Sequence, residues 1–233
     1  MQFDRIAPYF DWMERLCASG LMQRCRTAQI HRTKNCRHAL LAGEGHGRFL
    51  EALLLANPEI HVTSVEWSRK MIDYSRHRLT RRGLDLSRVT FQHANLLDCK
   101  LPETQFDLIV THFFLDCLKP AQIKRVVRSM ADRSAPDAIW LLADFCIPEC
   151  AGWRRWRAIG IVTSLYLFFR LTLNLPARGL TPPDRFLRAC DFELHDRKLM
   201  SCGLMHSDFW QRTSCFLIPV VILLLCQRSQ TIL

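Results

Sequence analysis

Three closely spaced glycines between two short apolar runs constrain this chain more than any other feature. The first run, 39–42, stops at Gly43-Glu44-Gly45-His46-Gly47, and an amphipathic segment that begins with Phe49 and Leu50 follows. A second apolar run, 62–65, ends at Glu66. This order predicts a strand, a glycine turn, a helix and a second strand that ends in an acid. Glycine is needed where a turn is tight or where a ligand lies against backbone, and the helix start offers N–H groups to a polar ligand.

The spacing of the glycines separates two classes of cofactor-binding protein. Dinucleotide enzymes carry G-x-G-x-x-G, whose third glycine lets helix and strand pack closely, but Arg48 occupies that position here. The spacing G-x-G-x-G at Gly43, Gly45 and Gly47 resembles motif I of the class I S-adenosylmethionine-dependent methyltransferases. That resemblance implies an α/β fold with a Rossmann-like seven-stranded, mostly parallel sheet, helices on both faces and an antiparallel last strand. A glycine-rich turn that binds nothing is the alternative.

Three further stretches carry the resemblance. The opening F-D-R-I-A-P-Y-F-D-W at 3–12 is similar to the start of ubiquinone/menaquinone-type C-methyltransferases, in which this helix covers the cofactor. V-T-F-Q-H-A-N-L-L-D at 89–98 resembles the third motif of the family, and L-P-E-T-Q-F-D-L-I at 101–109 resembles the fourth. The match is good over 37–145 and loose at both ends. Phe10 stands where these relatives have tyrosine, so the N-terminal helix is either a cofactor lid or a docked terminal helix.

The resemblance assigns binding roles to individual residues. The three glycines would hold the methionine part of S-adenosylmethionine, and Glu66 would bind the ribose hydroxyls. Asn95 would accept a hydrogen bond from the adenine amino group, with Asp98 as the second choice for that role. Leu41 replaces the acid that usually meets the cofactor's amino group, and Glu44 inside the turn is its candidate substitute. Trp67 either flanks adenine or packs. The predicted cofactor-binding residues are Gly43, Glu44, Gly45, Gly47, Glu66, Trp67, Asn95, Leu96 and Thr111.

The end of the fourth strand is predicted to face the reactive methyl group, because α/β sites open at the carboxyl ends of strands. His112 is the only obvious acid/base group there and is the predicted catalytic residue, although a packing or polar-contact role is the alternative. Asp116 is a weaker candidate, and Asp144 at the end of the fifth strand could reach the same pocket.

Composition places the chain in a broad class. It has 233 residues, about half of them apolar, which is enough for one core. The eleven cysteines are scattered without C-x-x-C, and no histidine pair lies at zinc spacing. We therefore expect reduced thiols, no metal site and, since 1–35 lacks a secretory-type apolar stretch, a cytoplasmic protein.

A net charge of +10 raises nucleic acid or an anionic membrane as partners. Much of the excess lies on a predicted amphipathic helix within 69–88, where a solvated basic face is favoured over phosphate binding. Without aromatic interleaving, nucleic acid is not the favoured partner.

Two apolar segments complete the chain. The first, W-R-R-W-R and the uncharged run after it within 153–175, is interpreted as a helix that roofs the substrate pocket, with an interfacial membrane helix as the alternative. The second, 215–226, could be a packed element, a peripheral membrane anchor or a dimer contact. The predicted organisation is an N-terminal helical lid over 1–35, a methyltransferase domain over 36–212 and an apolar tail over 213–233.

The combined prediction is an S-adenosylmethionine-dependent methyltransferase that acts on a small, largely apolar molecule. The alternatives are a non-catalytic or membrane-associated scaffold, a nucleic-acid methyltransferase and an NAD-dependent oxidoreductase.

Overall fold

The structure, a computed structural model, describes residues 20–149, 151–173, 177 and 179–213. Within them a seven-stranded sheet has the order β3-β2-β1-β4-β5-β7-β6. Strands β1 to β5 pair in parallel, and β7 is antiparallel to both of its neighbours, β5 and β6. The strands are β1 (His38–Ala42), β2 (His61–Glu66), β3 (Val89–His93), β4 (Phe106–His112), β5 (Ser134–Phe145), β6 (Phe192–Met200) and β7 (Met205–Arg212). This confirms the predicted mostly parallel sheet whose last strand is antiparallel.

Helices cover both faces of the sheet, as predicted. They are α1 (Leu21–Thr27), α2 (Arg48–Ala56), α3 (Arg69–Arg81), α4 (Pro120–Ala131), α5 (Trp153–Leu173) and α6 (Asp184–Arg188). Helix α2 packs Phe49, Leu50 and Leu53 into the core on one face, and α4 packs Ile123 and Val127 into the core on the other. The strands between these two layers are buried on both sides, which explains their continuous apolar sequences.

The basic helix α3 is bounded by residues that favour helix ends, with serine before its first turn and glycine after its last. The Ser68 hydroxyl accepts a hydrogen bond from the Met71 N–H group at 3.2 Å, and Gly83 follows the last turn with a φ of 67°. Part of the positive charge is neutralised within the fold, because Arg78 of α3 and its C-cap residue Arg82 form ion pairs of 3.4 Å and 2.6 Å with Glu51 of α2.

The sequence predicts strand starts at 35 for β1, 88 for β3, 138 for β5 and 207 for β7, and the structure differs at each of them, by one residue at β3. Strand β1 begins at His38 rather than Asn35. The Asp107 carboxylate accepts hydrogen bonds from the N–H groups of Arg37 and His38 at this start, so Asp107 has a structural role. Strand β5 begins at Ser134 rather than Ala138, because an irregularity in the β4–β5 pairing lets Ser134 pair with Phe106. Strand β7 begins at Met205, two residues before the predicted Ser207, since it pairs with Met200 directly across the turn.

Helix α5 roofs the pocket, as favoured from its sequence. Its inner side buries Ala158, Val162 and Tyr166 against the sheet, whereas Trp156 and Leu171 on its outer side are 73% and 80% exposed. The interfacial alternative therefore stays a prediction. Over the described residues, none of the helices combines the length and the apolarity that a bilayer crossing requires.

Several predictions fall outside the described residues. These are the helical assignment of 1–19, including the motif at 3–12, and all interpretations of 214–233. The predicted boundaries at 35 and 213 likewise stay predictions.

Candidate active site

A cavity of about 180 Å³ lies at the carboxyl ends of the parallel strands, where α/β proteins bind their ligands. Its floor comes from the turn after β1, the end of β2 and the end of β4, and its roof comes from α5, with α1 at one side. Most of the lining is apolar, with Met71, Leu96, Phe113, Phe145 and Phe169 among the larger side chains. The site therefore combines a glycine turn with a largely apolar chamber.

The three glycines of the turn all adopt left-handed backbone angles, with φ between 63° and 80°, but they meet different surroundings. A Cβ atom on Gly43 would lie 2.5 Å from the Phe114 ring, whereas a Cβ atom on Gly45 would meet no protein atom within 4 Å. Gly45 and Gly43 line the cavity. Bare backbone at Gly45 therefore faces open space where a ligand can lie directly against it.

Gly47 corrects the prediction that all three glycines hold the cofactor. It does not line the cavity, and a Cβ atom there would lie 2.3 Å from the Ser75 hydroxyl oxygen of α3. The glycine at this position is required because α2 and α3 approach each other closely.

Glu66 points into the crevice beside Gly45, as its place at the tip of β2 predicts. Its carboxylate accepts hydrogen bonds from the Gly45 N–H group at 3.0 Å and from the Ser68 N–H group at 2.9 Å, and the residue is 9% exposed. Glu66 also lines the cavity. The two N–H groups orient the carboxylate and leave it acceptor capacity for ligand hydroxyls.

Glu44 lies in the cavity wall and caps α2 at the same time. One carboxylate oxygen, Oε1, accepts hydrogen bonds from the N–H groups of Phe49 and Leu50 in the first turn of that helix. Burial raises the pKa of Glu44 to about 7, while the charge of Arg26 and the two backbone hydrogen bonds oppose the rise. The group is thus an acid that a cationic ligand would ionise.

The raised pKa of Glu44 predicts how stability depends on pH. Between pH 4.5 and pH 7 the folded protein keeps a proton that the unfolded chain has released, so this group lowers stability as pH rises through that window. Glu44→Gln should raise the free energy of unfolding at pH 8 by about 2 kcal/mol and change it little at pH 4. Urea unfolding of both proteins at the two pH values measures this difference, and equal stabilities at pH 8 would contradict it.

The predicted adenine contacts lie together at the turn after β3. Asn95 and Leu96 line the cavity beside Trp67, which is 44% exposed. The Asn95 side chain is engaged locally, because its oxygen accepts from the Leu97 N–H group and its nitrogen donates to Asp98. One lone pair of the Asn95 oxygen is left for a ligand. Asp98, the second choice, does not line the cavity and pairs with Arg125.

His112 and Thr111 lie on opposite sides of β4. His112 lines the cavity and makes an edge-to-face ring contact with Phe49, and neither of its ring nitrogens has a hydrogen-bond partner among the described residues. Burial lowers the pKa of His112 well below its ordinary value, so the ring is neutral and a weak base. Thr111 corrects the prediction, because it is fully buried away from the cavity and its hydroxyl accepts from the Trp140 indole N–H group at 2.8 Å.

The cavity also contains polar residues to which the sequence assigned no role or a minor one. Arg26 of α1 lines it and is 7% exposed, with its guanidinium 5.2 Å from the centre of the Phe113 ring. No local motif marks Arg26. Asp116 lines the cavity as well, and Asp144 lies behind it at the end of β5. No group of three or more His, Cys, Asp or Glu side chains within the described parts of the chain could hold a metal ion.

The arrangement fits an adenosyl cofactor with a cationic sulfur. The open space beside the Gly45 Cα atom lets a ligand lie directly against the backbone. The Glu66 carboxylate supplies oriented hydrogen-bond acceptors for hydroxyl groups, and Asn95 lies at the end of β3. Glu44 adds an acid that an amino group would ionise.

Comparison with known proteins agrees with this geometry. A family model described as a methyltransferase domain matches residues 39–137. The demethylmenaquinone methyltransferase of Listeria monocytogenes serotype 4a (strain HCC23) is 25% identical over 158 residues, which are 66% of this chain and 64% of that protein. The chain thus spans just under two thirds of that relative's length.

Solved structures share the fold. An O-methyltransferase family protein from Burkholderia thailandensis superposes with a TM-score of 0.69 at 18% identity, covering 92% of this chain and 61% of its own. The N-methyltransferase NodS from Bradyrhizobium japonicum WM9, solved with S-adenosyl-l-homocysteine, superposes with a TM-score of 0.59 at 17% identity, covering 82% and 87%. With the methyltransferase domain matched over 39–137, the seven-stranded sheet and the glycine turn that faces Glu66, the chain is similar in sequence and fold to S-adenosylmethionine-dependent methyltransferases.

Proposed function

We propose that this protein transfers a methyl group from S-adenosylmethionine to a small, largely apolar molecule. The observation that carries the proposal is the meeting of Gly45 and Glu66 on the wall of one cavity, with the Gly45 N–H group bound to the Glu66 carboxylate at 3.0 Å. When bound, S-adenosylmethionine supplies a methyl group on a positively charged sulfur. The residues of this chain bind it, orient the acceptor molecule and exclude water.

The cofactor would lie across the ends of β1, β2 and β3, with its amino-acid end, its ribose and its adenine at successive strands. Gly43 and Gly45 with Glu44 would hold the amino-acid end, Glu66 the ribose and Asn95 with Leu96 the adenine. Cationic sulfur loses its charge as transfer proceeds, so the enclosed apolar chamber favours the transfer by excluding water. Positioning alone can supply much of the rate in such a reaction.

The nature of the chamber favours a small apolar acceptor. Its far end is lined by Phe113, Phe145, Val162, Leu165 and Phe169, which belong to three separate elements. The roof helix α5 closes this end, whereas a nucleic-acid substrate would call for an open basic groove. His112 lies in the same wall, neutral and without a partner among the described residues, and would contact the acceptor as a hydrogen-bonding group.

Calorimetric titration separates this proposal from its alternatives. We expect S-adenosylhomocysteine to bind with micromolar affinity and NADH to show no heat. Binding of NADH alone would replace the proposal with an oxidoreductase. An RNA oligomer titrated at two salt concentrations tests the nucleic-acid alternative, since such binding weakens steeply with salt.

A further inference from the structure

Two buried acids meet at the acceptor end of the cavity. Asp116 lies in the short turn Leu115–Cys117 that follows β4, and Asp144 lies near the end of the neighbouring strand β5. They are 7% and 1% exposed, and Asp116 lines the cavity next to Cys117 and the roof residue Tyr166. The Tyr166 hydroxyl donates to the backbone carbonyl of Asp116 at 2.7 Å, which fixes the turn against α5.

One oxygen of each carboxyl group has no hydrogen-bond partner among the described residues. The Oδ1 atoms of Asp116 and Asp144 each have no hydrogen-bond donor among the described residues, yet the two side chains lie within hydrogen-bonding reach of each other. Two ionised carboxylates this close and this buried repel strongly, so the pair retains a proton. A buried polar atom without a donor is costly, which indicates that a ligand completes the set.

The groups around Asp116 and Asp144 favour a state in which the two carboxyl groups together carry one negative charge. Burial raises the pKa of Asp116 to about 6 and raises the pKa of Asp144 well above its ordinary range, with the charge of Asp116 as the second cause. Asp208 also faces Asp144 and is held by Arg197 and His206. The neighbouring thiols and phenol, which are Cys25, Cys117, Cys146 and Tyr166, all have raised pKa values and stay neutral.

We propose that Asp116, hydrogen-bonded by a protonated Asp144, binds the acceptor molecule through a hydroxyl or amino group and takes the proton that this group loses on methylation. This inference rests on the proposed function and narrows its substrate class to apolar molecules with one O–H or N–H group. Asp144 acts through Asp116 and is a positioning residue.

The proposal is balanced in protons and electrons. The acceptor oxygen or nitrogen forms the new bond to carbon, the cofactor sulfur keeps the electron pair of the broken carbon–sulfur bond, and the acceptor proton moves to the Asp116 carboxylate. His112 is less suited to this step because burial makes it a weak base, whereas a base that ionises near pH 6 is matched to neutral conditions.

Matched aromatic probes test the binding role. With saturating S-adenosylhomocysteine, we expect phenol and aniline to bind at least about tenfold more tightly than toluene, because each donates to a buried charged oxygen. Asp116→Ala should remove this preference. Asp144→Asn should keep it, since the amide still donates to Asp116. The control Asp132→Asn, whose partner is Arg128 on the exposed side of α4, should match the unchanged protein.

The outcomes are distinguishable. Failure of S-adenosylhomocysteine to bind would overturn the proposed function, whereas normal binding with equal affinities for the three probes would overturn only the acid-pair inference. If Asp116→Ala does not fold, infrared spectra at pH 7.5 decide the matter. Glu44 contributes a protonated carboxyl band to both proteins, so the unchanged protein should show a stronger band than Asp144→Asn does, and identical spectra would refute the shared proton.

Discussion

Replacing Glu66 with alanine is expected to weaken the binding of S-adenosylhomocysteine by about two orders of magnitude, the equivalent of two lost hydrogen bonds to a charged group. The carboxylate is 9% exposed, faces the cavity and is oriented by the N–H groups of Gly45 and Ser68. Its removal takes away the acceptors for the ribose hydroxyls and the contact that holds Gly45 in place. Isothermal titration calorimetry measures the loss.

Two variants make the result interpretable. Glu66→Gln keeps oxygen as an acceptor without the charge, so an intermediate affinity is expected. Glu59→Ala removes a carboxylate that precedes the same strand, is 73% exposed and pairs with Arg37, so it should leave the affinity unchanged. Unaltered affinity in Glu66→Ala would contradict the proposed site and favour a non-catalytic scaffold.

Most of the sheet could be predicted because its central strands are short apolar runs that end in turn residues. Strand β2 has the predicted bounds, and Glu66 at its tip faces the glycine turn as expected. The starts of β1 and β5 were less accurate because they depend on distant partners. Asp107 sets the first through hydrogen bonds to Arg37 and His38, and pairing of Ser134 with Phe106 sets the second.

The error at Thr111 has a simple physical cause that the sequence contained. Successive side chains of a strand point to opposite faces, so Thr111 and His112 cannot both face the cavity. Strand β4 directs His112 to the ligand side and Thr111 to Trp140. Once His112 is placed in the site, alternation alone excludes Thr111.

Other parts of the site have a weak local signal or none, because the sequence offers Asp116 and Asp144 only as minor candidates and does not mark Arg26. Arg26 comes from a helix that precedes the sheet, and Asp116 and Asp144 are brought together only because β4 and β5 are neighbours. Each residue by itself resembles an ordinary charged residue at the end of an element. Their burial and their contacts arise from the packing of segments that are distant in sequence, which a single sequence without its fold does not reveal.

The glycines of the turn should respond differently to the same substitution, because one faces a cavity and another faces a helix. In Gly47→Ala the new methyl group would lie 2.3 Å from the Ser75 hydroxyl oxygen and 3.0 Å from the Ser75 Cα atom, at a φ of 80°. Overpacking and left-handed strain together should lower the free energy of unfolding by about 3 kcal/mol. Urea denaturation measures it, and removing the Ser75 side chain with Ser75→Gly in the same protein should restore part of the loss.

Gly45→Ala should instead impair binding more than folding. Its methyl group would meet no protein atom within 4 Å and would project into the space assigned to the cofactor, so strain of about 1 kcal/mol is the only folding cost. S-adenosylhomocysteine affinity should fall at least about tenfold, because the ligand can no longer lie against the backbone. Gly83→Ala is the matched control, since Gly83 has a φ of 67° and equally open surroundings but lies at the end of α3, away from the cavity. If Gly45→Ala binds S-adenosylhomocysteine as well as Gly83→Ala does, the cofactor does not approach the turn at Gly45.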